Sequence, residues 1–156
     1  MKKIKIFARA MRVNQWIKNL LVFTAVIFSG KLFDLWIIGQ AIIAFAIFCL
    51  LSSTSYLLND IIDYPYDKKH PIKRYRPIAS GELSMQQATF TVFILTVVSL
   101  LFSLLFSVNF FFLALIFILL HFFYSACNWG RSSDRVSYTS LAVTYDIFYF
   151  AFYGNG

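Results

Sequence analysis

Residues 35–59 read LWIIGQAIIAFAIFCLLSSTSYLLN, and residues 83–130 read LSMQQATFTVFILTVVSLLFSLLFSVNFFFLALIFILLHFFYSACNWG; neither stretch contains Asp, Glu, Lys or Arg. A helix rises 1.5 Å per residue, so about 20 apolar residues cross the hydrocarbon core of a bilayer. The first stretch is long enough for one crossing and the second for two. Of the 156 residues, 60% are hydrophobic and 20% aromatic. A soluble domain of that size cannot bury so much apolar surface. The chain reads as an all-α, polytopic transmembrane helix bundle.

Four spans are expected, at roughly 17–33, 35–58, 84–106 and 109–127, with Ser107 to Asn109 as a tight uncharged turn. A fifth, across roughly 138–153, is broken by Asp146, so the bundle holds four to five. A cleaved signal peptide is not expected, because the first apolar stretch is followed by further spans and no small-residue cleavage pattern stands out. Cys49 and Cys127 have no metal-site spacing and read as packing residues.

The net charge of +7 does not point to nucleic acid, because the basic residues are placed by topology. Lys2, Lys3, Lys5, Arg9, Arg12 and Lys18 precede or enter the first span, and Lys68, Lys69, Lys73, Arg74 and Arg76 follow the second. With the N-terminus cytoplasmic, thirteen of the fourteen basic residues lie inside and only Lys31 lies outside, snorkelling at the far end of its span. Lys2, Lys3 and Lys5 suit contact with anionic lipid. Around Trp16 and Lys18, the island Asn14 to Asn19 reads equally well as an interface anchor or as a phosphate contact through an inward Lys18.

Polar chemistry concentrates between Asn59 and Gly81. Three of the seven acids fall in eight residues, Asp60 to Asp67. At 100° per residue, Tyr56, Asn59, Asp60, Asp63 and Asp67 share an arc of about 100° at the mouth of the second span. Pro65 interrupts this face, so the helix ends or kinks there and Asp67 approaches from a bend. Clustered carboxylates need cations, and Mg²⁺ suits oxygen donors shared with substrate phosphates. Lys73, Arg74 and Arg76 follow at once and can clamp phosphate oxygens. Acids that hold metal beside bases that hold phosphate describe a diphosphate site. A plainer reading, acids that only balance a lipid-facing basic loop, does not require three acids on one face. His70, beside Pro71, suits a surface or supporting role, and His121 a hydrogen-bonded packing role.

Asn59-Asp60-x-x-Asp63-x-x-x-Asp67 resembles the first aspartate-rich motif of the UbiA-type intramembrane prenyltransferases. The blocks His70-Pro71-x-Lys73-Arg74-x-Arg76-Pro77-Ile78-Ala79-Ser80-Gly81 and Gln15-Trp16-x-Lys18-Asn19 are similar to the decaprenyl-phosphate phosphoribosyltransferase branch. The resemblance covers roughly residues 8–125. It implies transfer of phosphoribose from phosphoribosyl diphosphate to a polyprenyl phosphate, with release of diphosphate, in a bacterial inner (plasma) membrane. It further implies Mg²⁺ at Asn59 and Asp63, with Asp60 and Asp67 supporting it or holding a second ion, and catalysis resting on Asp60 and Asp63. Lys18, Tyr56 and Lys73 would contact the donor, and Arg74 and Arg76 would add charge. The alternatives are a prenyltransferase with an aromatic acceptor, and an inactive membrane fragment. Family members have about nine helices and a second Asp-rich loop that this sequence lacks. Residues 1–125 are therefore expected to form the N-terminal half of such a domain, and 126–156 an atypical tail left by truncation or a frame shift.

Overall fold

The computed structural model describes residues 2–28, 30 and 33–127. All the described elements are helical: α1 (Lys2–Ala10), a 3-10 helix (Val13–Leu21), α2 (Val22–Phe28), α3 (Leu35–Ile62), α4 (Tyr64–Asp67), a 3-10 turn (Lys73–Tyr75), α5 (Met85–Phe106) and α6 (Val108–Cys127). Three of them, in α3, α5 and α6, are long and apolar enough to cross a membrane. They match the second, third and fourth expected spans. Lys31, the tail with Arg131 and Arg135, and the expected fifth span lie outside the described residues.

The first expected span departs from a single helix over 17–33. Its described part is a 3-10 helix that passes into the short α2. Over this stretch the polar side chains bond laterally to α3. Trp16 Nε1 donates to Ser53 Oγ at 3.0 Å, and Asn19 Nδ2 donates to Ser52 Oγ at 3.2 Å. Ser53 Oγ in turn donates to the Met11 carbonyl at 3.2 Å. The polar island is a staple onto α3. Arg12, just before it, has left-handed backbone (φ 49°, ψ 47°), which breaks α1 from the 3-10 helix.

Asp34 caps α3 by accepting from the backbone N–H groups of Trp36 and Ile37 at 3.0 and 3.4 Å. Ser84 and Gln87 form a reciprocal capping box that starts α5. Only the extended Ser107 separates α5 from α6, tighter than the expected three-residue turn.

α3 is the central element, packed against α5, α6, α2 and the 3-10 helix. Phe48 of α3 meets Phe110 and Phe117 of α6 edge-on at 5.7 and 6.4 Å, over Ala41, Ala44 and Ala114, all buried. Ser99 and Ser103 of α5 are fully buried and return their hydroxyls to the carbonyls of Leu95 and Ser99 at 2.6 and 2.7 Å. Such small, self-satisfied side chains allow close helix approach in a membrane. Ser52, Ser53, Thr54 and Ser55 of α3 do likewise to the carbonyls of Phe48, Cys49, Leu50 and Leu51, at 2.8, 2.8, 3.0 and 3.1 Å. The outer face of α5, with Phe90, Phe93, Leu101 and Leu105, is exposed and apolar, as lipid contact requires.

A second apolar cluster sits under the polar segment. Ala10 of α1, Leu57 of α3, Ile78 and Leu83 of the loop, and Ala88 of α5 are all buried together. It fixes where the polar loop lies. The loop closes through Ser80 N–H to Arg76 O (2.8 Å) and Leu83 N–H to Pro77 O (2.9 Å). Gly81 has φ +82°, a conformation that favours glycine for backbone reasons alone, since a Cβ there would meet nothing within 4 Å.

Candidate functional site

The last two turns of α3 place Tyr56, Asn59 and Asp60 on one buried face, and Asp63 is its C-terminal cap. The helix does end before Pro65. Asp63 O accepts from the N–H groups of Tyr66 and Asp67, both at 2.9 Å, and this starts α4. Pro65 lies in the first turn of α4, where its missing N–H costs nothing. Asp67 therefore returns to the same site from a bend. Asn59, Asp60, Asp63 and Asp67 are all at most 6% exposed.

Two arrangements form among these four. In the first, Asp60 Oδ1 accepts from Arg12 Nη2 at 2.8 Å and from Arg76 Nη1 at 3.2 Å. The same Arg76 Nη1 donates to Asp67 Oδ2 at 2.6 Å. One guanidinium nitrogen, with two N–H groups, thus joins two carboxylates. In the second, Asn59 Nδ2 donates to Asp63 Oδ2 at 3.3 Å, and Ser125 Oγ of α6 donates to Asn59 Oδ1 at 2.9 Å. Burial, followed by the negative charge of Asp67, raises the Asp63 carboxyl above its ordinary range, against the opposing pull of Arg76 and Lys73.

Among the described residues, no three His, Cys, Asp or Glu side chains group so as to hold a metal ion. The donor chemistry still fits a hard divalent cation at Asn59 and Asp63. Asp63 offers a carboxylate, and one helical turn away Asn59 offers a carbonyl oxygen, bonded here to Ser125; burial, ahead of the charge of Asp67, raises the Asp63 carboxyl, and a cation would offset both. Mg²⁺ needs no more than one or two protein carboxylates when substrate phosphates complete its shell. Asp60 and Asp67 are instead held by arginine.

Tyr56 is buried, and the Arg12 guanidinium lies 4.8 Å above its ring. Lys18 is half-buried in the 3-10 helix. Lys73 and Arg76 line one cavity, whereas Arg74 turns to Tyr75, donating to its hydroxyl at 2.7 Å. His70 Nδ1 accepts from the N–H groups of Ile72 and Lys73, both at 3.2 Å, and so shapes the loop. Within α6, His121 stacks on Phe117 at 4.2 Å and bonds its carbonyl through Nδ1 at 3.1 Å, in the packing role expected of it. Sequence reading did not single out Arg9, Arg12 or Ser125. Arg12 and Ser125 lie 48 and 66 residues from their partners, so no local pattern marks them.

The family model of the UbiA prenyltransferase family matches residues 20–146. The decaprenyl-phosphate phosphoribosyltransferase of Mycolicibacterium smegmatis is 41% identical over 99 residues, which are 61% of this chain and 31% of that protein. Its namesake from Corynebacterium glutamicum is 43% identical over 82 residues, 51% of this chain and 25% of that protein. A 4-hydroxybenzoate octaprenyltransferase of Legionella pneumophila is 32% identical over 129 residues, 78% of this chain and 44% of that protein. The chain spans less than half the length of each of these relatives. The family match takes in α3 with its Asn59–Asp63 turn, the polar loop and the α5–α6 pair, and on that ground the chain belongs to the UbiA prenyltransferase family.

Proposed function

We propose that this chain carries the donor-binding wall of a Mg²⁺-dependent transferase that moves 5-phosphoribose from phosphoribosyl diphosphate to a polyprenyl, decaprenyl-type phosphate. The observation that carries this reading is the placement of an oxygen-donor pair, Asn59 and Asp63, beside the basic residues Lys73 and Arg76. The identities of 41% and 43% to proteins named decaprenyl-phosphate phosphoribosyltransferase favour this acceptor and donor. Enzymes of the family typically depend on a divalent metal.

In the transfer, the bond from the anomeric carbon to the diphosphate breaks and its electron pair leaves with the diphosphate. An oxygen of the acceptor phosphate forms the new bond. That oxygen is already ionised at neutral pH, so the step needs no general base. Asn59 and Asp63 would hold the cation, which when bound would supply charge stabilisation to the leaving diphosphate. Lys73 and Arg76 bind phosphate oxygens, Arg74 adds positive charge, and Lys18 and Tyr56 bound the donor. Asp60 and Asp67 position Arg76, and Asp60 also positions Arg12. The basic residues around the loop favour a cytoplasmic site in a bacterial inner membrane.

A second reading is prenyl transfer to an aromatic acceptor, favoured by the octaprenyltransferase relative, which aligns over 78% of this chain. Here the diphosphate belongs to the lipid. Membranes containing the full-length protein, incubated with either radiolabelled phosphoribosyl diphosphate or radiolabelled prenyl diphosphate, separate the two. Label from the sugar donor in the lipid fraction is expected. Label on an aromatic product instead replaces the first reading with the second, and no transfer from either donor removes both.

A further inference from the structure

A cavity of about 520 Å³ opens between the end of α1 and the loop after α4. Its size falls within the roughly 300–1,000 Å³ of small-molecule sites. Arg9, His70, Lys73 and Arg76 supply its polar lining, with Tyr75 and Pro77 as wall. Among the described residues, no carboxylate lines it. Arg9 is anchored at the rim, donating to the Tyr75 carbonyl at 3.2 Å and pairing with the half-exposed Glu82 at 3.1 Å. His70 Nδ1 accepts two backbone N–H groups, so in the neutral ring the proton sits on Nε2 and the ring presents a donor. Arg76 also reaches Asp60 and Asp67, so it separates this cavity from the acid cluster.

We infer that this cavity binds a phosphate monoester, at a place distinct from the oxygen-donor pair Asn59 and Asp63. Three cationic side chains and an imidazole N–H, with no acid among them, match a dianionic group bearing three acceptor oxygens, and two of the cations are forked guanidiniums. A diphosphate held through a cation requires the acids; a monoester requires only donors. In the proposed reaction both partners carry a monoester, the sugar at its far end and the lipid at its head. Only this assignment to the reaction rests on the proposed function; the chemistry of the cavity does not.

The test titrates ribose 5-phosphate calorimetrically into the purified chain in detergent, with EDTA present so that no divalent cation contributes. Binding is expected in the unmodified chain, about tenfold weaker in Arg9→Gln, from loss of one charge-assisted contact. Lys5→Gln removes the same charge from the same helix outside the cavity and is expected to bind as the unmodified chain does. If Arg9→Gln loses helicity by circular dichroism, Lys73→Gln takes its place. A second arm places the chain in nanodiscs of phosphatidylcholine with or without phosphatidic acid, and native mass spectrometry counts retained lipid. Retention of phosphatidic acid that Arg9→Gln removes assigns the monoester to a lipid; ribose 5-phosphate binding assigns it to a soluble sugar. No binding in either arm, or binding by the Arg9 and Lys73 variants as tight as that of the unmodified chain, overturns the inference. Because no cation is present, that failure leaves the Asn59–Asp63 reading standing, and that reading fails separately through Mg²⁺ and Asp63.

Discussion

Replacing Arg76 with alanine removes a guanidinium that holds two buried carboxylates, Asp60 and Asp67. Its guanidinium is 17% exposed and lies 2.6 Å from Asp67 and 3.2 Å from Asp60, each 3% exposed. At an effective dielectric of about 20, opposite charges centred ~4 Å apart attract by about 4 kcal/mol. Breaking a buried pair typically costs about 3–5 kcal/mol, because the surviving charge loses its partner. The partial exposure of Arg76 places the expected loss near the low end, about 3 kcal/mol. Asp60 keeps Arg12 at 2.8 Å, so most of the penalty falls on Asp67. Asp67→Asn in the Arg76→Ala background should therefore restore about half of the loss or more. The measurement is unfolding in mixed micelles with increasing SDS, followed by circular dichroism, for the two single variants and the double. Additive effects in this cycle, or an Arg76→Ala chain as stable as the unmodified one, would refute the reasoning.

Asp63→Ala in a full-length version should abolish transfer, and near-normal turnover would remove the cation assignment. The raised Asp63 carboxyl means that the folded state holds a proton where the unfolded state has lost it. Its contribution to stability therefore falls as pH rises from the ordinary carboxylate range through the raised one. Melting in EDTA across that range should show this slope, and Asp63→Asn should flatten it; an unchanged slope in the variant would assign it to other groups. Mg²⁺ binding should weaken as pH falls through the same range, read by calorimetry. Ser125→Ala leaves the buried Asn59 carbonyl oxygen without its 2.9 Å donor and should cost about 1–3 kcal/mol, measured by the same unfolding assay.

The three long spans were legible because uncharged runs of that length have no other stable solution. The acid face was legible because helical period aligns Asn59, Asp60 and Asp63, and Pro65 marks where the helix must stop. The first span was misjudged in form. Trp16 and Asn19 look like an interface anchor in sequence, yet they bond laterally to Ser52 and Ser53 more than thirty residues away. Arg12 was hidden for a similar reason. Its left-handed backbone costs about 1–3 kcal/mol in isolation, and the Asp60 and Tyr56 contacts that hold it there are not local. A basic residue before a span looks like topology, and only the fold distinguishes Arg12, held in the acid cluster, from Lys5, which is not.

The four consecutive hydroxyls of α3, Ser52 to Ser55, bear on how the protein reaches its membrane. Each is already paired with a carbonyl of its own helix. During synthesis α3 emerges before α5 and α6 exist, and the translocon must pass it into lipid alone. A helix carrying four unpaired hydroxyls would pay a penalty at that moment. Self-paired, α3 partitions as a nearly apolar segment. The hydroxyl oxygens of Ser52 and Ser53 keep lone pairs that accept from Asn19 Nδ2 and Trp16 Nε1 once that segment packs against α3. The same intrahelical bonds thus lower the polarity of α3 before its partners arrive and leave it ready to pack once they do.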